Sequence, residues 1–260
     1  KKIIRSSISD LICKGVKPKY YFISGSGNKE TFSKSNLSKI SKSLKQEQDK
    51  YKIFLSGGDT VFSNTLSFTI TSIGFANGIV YRNKAKIDDD IYVSGNLGDA
   101  YLGLLVLQNK IKLNNLLRKY FIDQYFKPNI QLRLTDQIIK IANTSIDISD
   151  GLLADLDKLI NTQKLSYKIN LDKIPISKNL KKVLGNKRLS KINYISNGDD
   201  YQVLFTASKS KRRIIKKISA NCRIKITNIG SIQSIAKKSS VINDKNIRIV
   251  LKNKGYFHHF

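Results

Sequence analysis

The chain has 260 residues, 40% of them hydrophobic, and a formal net charge of +28. That length holds one large core or two smaller ones, and no apolar run approaches the ~18 residues of a membrane span. Cys13 and Cys222 are the two cysteines; they form neither a disulfide framework nor a metal-ligand spacing and fit a reducing cytoplasm.

The 47 Lys and Arg are spread along the whole chain among many Ile and Asn. That spread reads as a bias of composition rather than a nucleic-acid patch, so neither a specific nucleic acid nor a membrane is expected as partner. Of the 19 acidic residues only Glu30 and Glu47 are Glu. Asp10, Asp59, Asp99, Asp150 and Asp199 stand beside Gly or Ser. Short carboxylates at turns are what Mg²⁺ sites use, although turns also favour Asp for its local hydrogen bonding. The chain contains no Met and opens in helix-like sequence, so an N-terminal portion is expected to be missing.

Ile3, Ile4, Ile8, Leu11 and Ile12 give a helical stripe that Gly15 can end, with Asp10 in its C-terminal half against the helix dipole. A short strand is expected at 20–24, then a plain turn at Gly25-Ser-Gly-Asn-Lys29, which lacks the spacing of a phosphate loop. A polar helix follows at 33–50, with Leu37, Ile40 and Leu44 inward. The strand 53–55 runs into Ser56-Gly-Gly-Asp-Thr60, where glycines allow backbone to approach a ligand beside one carboxylate; a plain Gly-rich turn is the alternative. Leu66, Phe68 and Ile70 alternate with polar residues as a half-buried strand. The charged stretch 78–90 is an exposed crossover and the expected boundary between domains 1–80 and 81–260.

Beyond it the pattern gives a strand at 91–94, the turn Gly95-Asn-Leu-Gly-Asp99, and helices at 100–108, 113–126 and 130–142. The strand 143–148 then meets Ser149 or Asp150 as helix N-cap, Gly151 as the turn, and the helical stripe Leu152, Leu153, Leu156, Leu159 and Ile160. Asp147, Ser149, Asp150 and free backbone N–H groups therefore meet at a strand end and a helix start, a place suited to a metal–phosphate complex. A well-capped helix with two solvated aspartates accounts for the same residues. A strand at 167–171, Asn197-Gly-Asp-Asp-Tyr201 leading to a strand at 202–206, a basic helix at 208–218, a strand at 223–226 and a hairpin at 241–251 complete the chain. His258 and His259 in the tail lack partners at ligand spacing.

Taken together, Ser9-Asp-Leu11, Ser56-Gly-Gly-Asp-Thr60, Arg82 with Ala85-Lys86, Gly95-Asn-Leu-Gly-Asp-Ala100, Asp147-Ile-Ser-Asp-Gly-Leu152, Ile174-Pro175, Gly198-Asp-Asp-Tyr201, Ile229-Gly230 and Gly255-Tyr256 resemble the thiamine-monophosphate kinase family. Its superfamily includes aminoimidazole ribonucleotide synthetase and selenophosphate synthetase. The resemblance implies a two-domain α/β (α+β) fold of mixed sheets packed with helices, its N-terminal domain incomplete here and forming a homodimer. It implies ATP-dependent phosphorylation of thiamine monophosphate to thiamine diphosphate with several Mg²⁺ ions. By motif, Asp10, Asp59, Asp147 and Asp150 would hold metal, with Asp147 and Asp150 at the catalytic centre. Gly58, Asp59, Arg82 and Ser149 would contact ATP; Asp199 and Tyr256 would contact the thiamine substrate. Two departures stand out: Asp199 occupies a position where the family usually has Glu, and Ile130 and Gln131 replace the family's second Pro and Arg after Pro128. The alternatives are a truncated, catalytically impaired nucleotide-binding homologue and another ATP-using synthetase of the superfamily.

Overall fold

The computed structural model describes residues 1–187, 190–250 and 254–256, without the side chains of 186 and 187. His258 and His259 and the far end of the expected 241–251 hairpin lie outside the described residues.

The first unit is α1 (Lys2–Cys13), β1 (Lys17–Gly27), α2 (Lys34–Tyr51), β2 (Phe54–Phe62) and β3 (Ser67–Phe75). Its sheet has the order β2-β1-β3, with β1 parallel to β2 and antiparallel to β3. On α1, Ile4, Ile8 and Ile12 recur every fourth residue and pack into one cluster with Tyr21, Tyr51 and Ile53. Each such isoleucine, fully out of water, contributes about 1.5–3 kcal/mol. One step along the helix, Arg5, Ser9 and Cys13 form a second buried stripe facing elsewhere.

Two expected turns fall largely within strands, only Asn28 and Lys29 of the first lying outside β1. Gly25–Gly27 continues β1 because β2 and β3 take up its backbone on both sides, and the rings of Phe68 and Phe32 pack where a Gly25 side chain would lie. The Gly-Gly-Asp-Thr stretch likewise runs within β2, with a register shift that sets Phe22 opposite Gly57.

The second unit is built on a mixed six-stranded sheet. Its elements are β4 (Asp90–Ser94), α3 (Asp99–Leu107), α4 (Asn115–Phe126), α5 (Thr135–Ile141), β5 (Thr144–Asp147), α6 (Leu152–Leu159), β6 (Leu165–Asn170), α7 (Lys178–Lys187), α8 (Lys191–Ile195), β7 (Val203–Ala207), α9 (Arg212–Cys222), β8 (Ile226–Ser234) and β9 (Ser240–Ile242). The order is β5-β7-β4-β8-β6-β9, antiparallel except for the β6–β9 pair.

β4 and β7 are buried throughout, so both of their faces are covered. Ile91, Val93 and Leu204 pack with α6; Tyr92, Val203 and Phe205 pack with α5 and α9, and the Tyr92 and Phe205 rings stack at 5.2 Å. α3 and α4 form a satellite core with α7 and α8 around Leu102, Phe121 and Leu180.

The expected helix 130–142 is shortened to a turn of 3-10 helix at Leu132–Leu134 followed by α5. Ile130 is drawn into the core of the first unit, and Gln131 donates to Gln202 at 2.8 Å, so neither can enter the helix. α7 and α8 have no counterpart among the expected elements.

Candidate active site

β5 ends at Asp147 and α6 begins at Leu152, so Ile148, Ser149, Asp150 and Gly151 form the connection. Every backbone group in it is taken. Ile148 N–H donates to Gln202 O and its carbonyl accepts from Tyr201, both at 2.8 Å. Ser149 O accepts from Asp199 N–H at 2.9 Å, and Asp150 O from Tyr256 N–H at 2.8 Å. The N–H groups of Ser149, Asp150 and Gly151 all donate to one oxygen of Asp155, at 2.9, 2.9 and 3.1 Å.

This corrects the expectation of free N–H groups and of Ser149 or Asp150 as N-cap. Gly151 is the N-cap residue, and a fully buried carboxylate from inside the helix occupies the place an anion would take. Asp155 escaped the sequence reading; its only signal there is an acid set among Leu153, Ala154 and Leu156.

The loop leans on the 196–201 turn. A Cβ on Gly198 would lie 2.1 Å from Ser149 O, and one on Gly151 2.3 Å from Ser196 O. Both glycines have positive φ, and so do Asp199 at 63° and Tyr201 at 50°. This left-handed run is held by the Asp199 and Tyr201 amide bonds to the loop.

Asp147 sits at the seam between the two units. It is buried, accepts from the Ser9 hydroxyl and lines the same cleft as Asp10 of α1, whose charge acts on it. Burial first, then the charge of Asp10, pushes its carboxyl up to about 7. Asp10 keeps an exposed edge at the mouth of a cleft of about 450 Å³, whose lining also includes Ser6, Phe68, Ser149 and Tyr201. Lys14 and Arg82 favour the charged form of Asp10, and Lys14 donates to Ser145 O beside it.

The other expected residues fall around this centre. Asp150 pairs with Lys158, which also reaches Asp155 at 3.1 Å. Asp199 pairs with Lys2 at 2.8 Å and lines a separate cavity of about 420 Å³ with Arg5, Lys50, Asp99 and Lys127. Tyr256 is exposed and joined to the loop through its backbone. Gly58 and Asp59 lie in exposed β2; by register Asp59 stands opposite Ser24, on the sheet face turned away from α1, and is not brought to Asp10 and Asp147. Among the described residues no three His, Cys, Asp or Glu side chains converge as a metal-holding group.

Residues 1–76 match the family model described as AIR synthase related protein, N-terminal domain. The chain is 35% identical to the thiamine-monophosphate kinase of Buchnera aphidicola subsp. Acyrthosiphon pisum, over 99% of this chain and 79% of that protein. It is 31% identical to the thiamine-monophosphate kinase of Haemophilus influenzae, over 89% of this chain and 70% of that protein. Among solved structures it is similar to thiamine monophosphate kinase from Aquifex aeolicus, with a TM-score of 0.81 and 28% identity over 95% of this chain and 79% of that one. A structure described as AaThiL complexed with AMPPCP and TMP gives a TM-score of 0.83 and 26% identity, covering 98% of this chain and 81% of the other.

Proposed function

The chain belongs to the thiamine-monophosphate kinase family, and from that membership we propose that it transfers the terminal phosphoryl group of ATP to thiamine monophosphate, giving thiamine diphosphate. The observation that carries the reading is the meeting of Asp10 and Asp147 at one cleft across the seam between the two units, beside a loop whose backbone is fully occupied and whose Ser149 lines the same cleft.

In the transfer, the bond from the terminal phosphorus to the bridging oxygen of ATP breaks. A new bond forms to a phosphate oxygen of thiamine monophosphate. Such a reaction needs in-line positioning and offset of negative charge, not a covalent enzyme intermediate. Asp10 and Asp147 would hold Mg²⁺ with Asp150 nearby. The fit rests on two neighbouring carboxylates on one cleft, one of them buried and each acting on the other's charge, an arrangement that a dication relieves. When bound, Mg²⁺ neutralises phosphate charge and aligns the reacting groups.

Because the loop N–H groups belong to Asp155, the phosphates rely on side chains. Arg82 and the Ser149 hydroxyl serve ATP, together with Gly58 and Asp59. Asp199 and Tyr256 serve thiamine monophosphate. The cavity beside Asp199 mixes lysines and aspartates, which suits an acceptor bearing a cationic ring and a phosphate.

The reading includes a homodimer. Tyr20, Phe22, Phe54, Ile73 and Phe75 are exposed together on the open face of the first sheet, an apolar area of the kind that protein partners cover. Asp59 lies on that face, so a site using it would be shared between two copies. The reading also places the division between domains near residue 80 and the protein in the cytoplasm, in keeping with the free thiols of Cys13 and Cys222. No helix among the described residues is long and apolar enough to cross a membrane.

A second reading, nucleotide binding without turnover, is favoured by one observation: no third carboxylate joins Asp10 and Asp147 among the described residues. Calorimetry with AMPPCP tests what both share. Binding with Mg²⁺ and loss of binding with a chelator is the expected result; equal affinity in the two would remove the metal from the account.

A further inference from the structure

Asp155 touches neither the cleft nor a solvent path, yet it organises the loop that carries Ser149 and Asp150. Its carboxylate is fully buried. One oxygen accepts three successive amides, and the other accepts from Lys158 at 3.1 Å. The ammonium of Lys158 also holds the Asp150 carboxylate. Charge-assisted bonds of this kind are roughly twice as strong as neutral ones. The amides of residues 149–151 would otherwise be orphan donors at the start of α6.

We propose that Asp155 is the positioning residue of this site: it fixes the Ser149–Asp150–Gly151 backbone from inside α6 and, through Lys158, the direction of the Asp150 carboxylate. The inference rests on the functional reading for what the loop serves, but not for how it is held.

The same geometry separates two variants. In Asp155→Asn a neutral oxygen can still meet the amides, while the side-chain NH₂ faces Lys158. In Lys158→Met the amides keep their acceptor oxygen, while the contacts of Lys158 with Asp150 and with the other oxygen of Asp155 are lost. Asp155→Ala removes both.

Amide hydrogen exchange of the ligand-free chain reads the loop directly. AMPPCP binding in Mg²⁺ reads its consequence. In Asp155→Asn, exchange at residues 149–151 should rise about tenfold while β5 and β7 keep their protection, and Mg²⁺-dependent binding should weaken about tenfold. Lys158→Met should leave the three amides protected. Asp155→Ala should exceed Asp155→Asn in both measurements; if it fails to fold, the comparison of Asp155→Asn with Lys158→Met decides. Wild-type exchange at residues 149–151 in Asp155→Asn would overturn the proposal, as would faster exchange with unchanged binding. Absence of binding by the wild-type chain would count against the kinase reading alone, because the exchange measurement needs no ligand.

Discussion

The Ser9 hydroxyl on α1 donates to the Asp147 carboxylate at the end of β5, a contact between residues 138 apart in the sequence. It is one of several fastenings of α1 to the second unit: Ser145 Oγ donates to Cys13 O at 2.5 Å, and Val80 N–H to Lys14 O at 3.0 Å. A single helix thus supplies the inner layer of one sheet and a wall of the site built on the other.

Stability should depend on pH through Asp147. Its carboxyl is raised from 3.8 to about 7 in the folded chain, so the folded state holds the proton more tightly than the unfolded one. The resulting stability is fully present below about pH 4 and is lost as the pH rises through about 7, an effect of about 2–4 kcal/mol. The melting temperature of the ligand-free chain should fall across that window at constant ionic strength. Asp147→Asn should flatten the fall and be more stable than wild type at about pH 8. A variant with the wild-type slope would assign the dependence to other groups.

Gly198→Ala should disable the site at a cost in stability of about 1–3 kcal/mol or more. The new methyl would meet Ser149 O at 2.1 Å, and φ there is 72°. Chemical denaturation gives the cost, and AMPPCP binding per folded molecule gives the damage to the loop. Wild-type values in both would mean that the two loops move apart freely.

The buried pair of Arg5 with Glu47 should matter through what is left behind when one partner goes. Arg5 forks onto Glu47 at 2.7 and 2.9 Å and donates to Pro128 O at 3.0 Å. Glu47→Ala strands the guanidinium and should cost about 3–5 kcal/mol. A double change of Arg5 and Glu47 to apolar residues should recover much of the loss, as urea unfolding would show; an additive loss in the double variant would contradict it.

The sequence patterns locate most strands and helices but misjudge what the tertiary structure does to them. Ser33 before α2 and the alternation in β3 are legible because local chemistry decides them. Gly25 and Gly58 look like loop residues because glycine is permissive, yet ladders on one or both sides hold them in strands. Asp147, Ser149 and Asp150 are recognisable by motif. The occupation of the Ser149, Asp150 and Gly151 amides by Asp155 is not, because it depends on a side chain folding back along a helix. The separation of Asp59 from Asp10 follows from strand register, which spacing does not encode.

The open face of the first sheet should hold a second copy. Phe22→Asp, or Phe54→Asp, should shift the chain toward monomer in sedimentation equilibrium while leaving the fold intact by circular dichroism. An unchanged mass for both variants would remove this face as the contact.

Formation of thiamine diphosphate from thiamine monophosphate, ATP and Mg²⁺ tests the central claim most directly, with the wild-type chain compared with Asp147→Asn and Asp150→Asn. Both variants should fold, since Asn keeps the volume of Asp. The account predicts product from the wild type, none with a chelator, and a loss of about a hundredfold or more in each variant, as expected when groups that align the phosphates are removed. No product from a wild-type chain that binds AMPPCP with Mg²⁺, or equal rates from all three proteins, would contradict it.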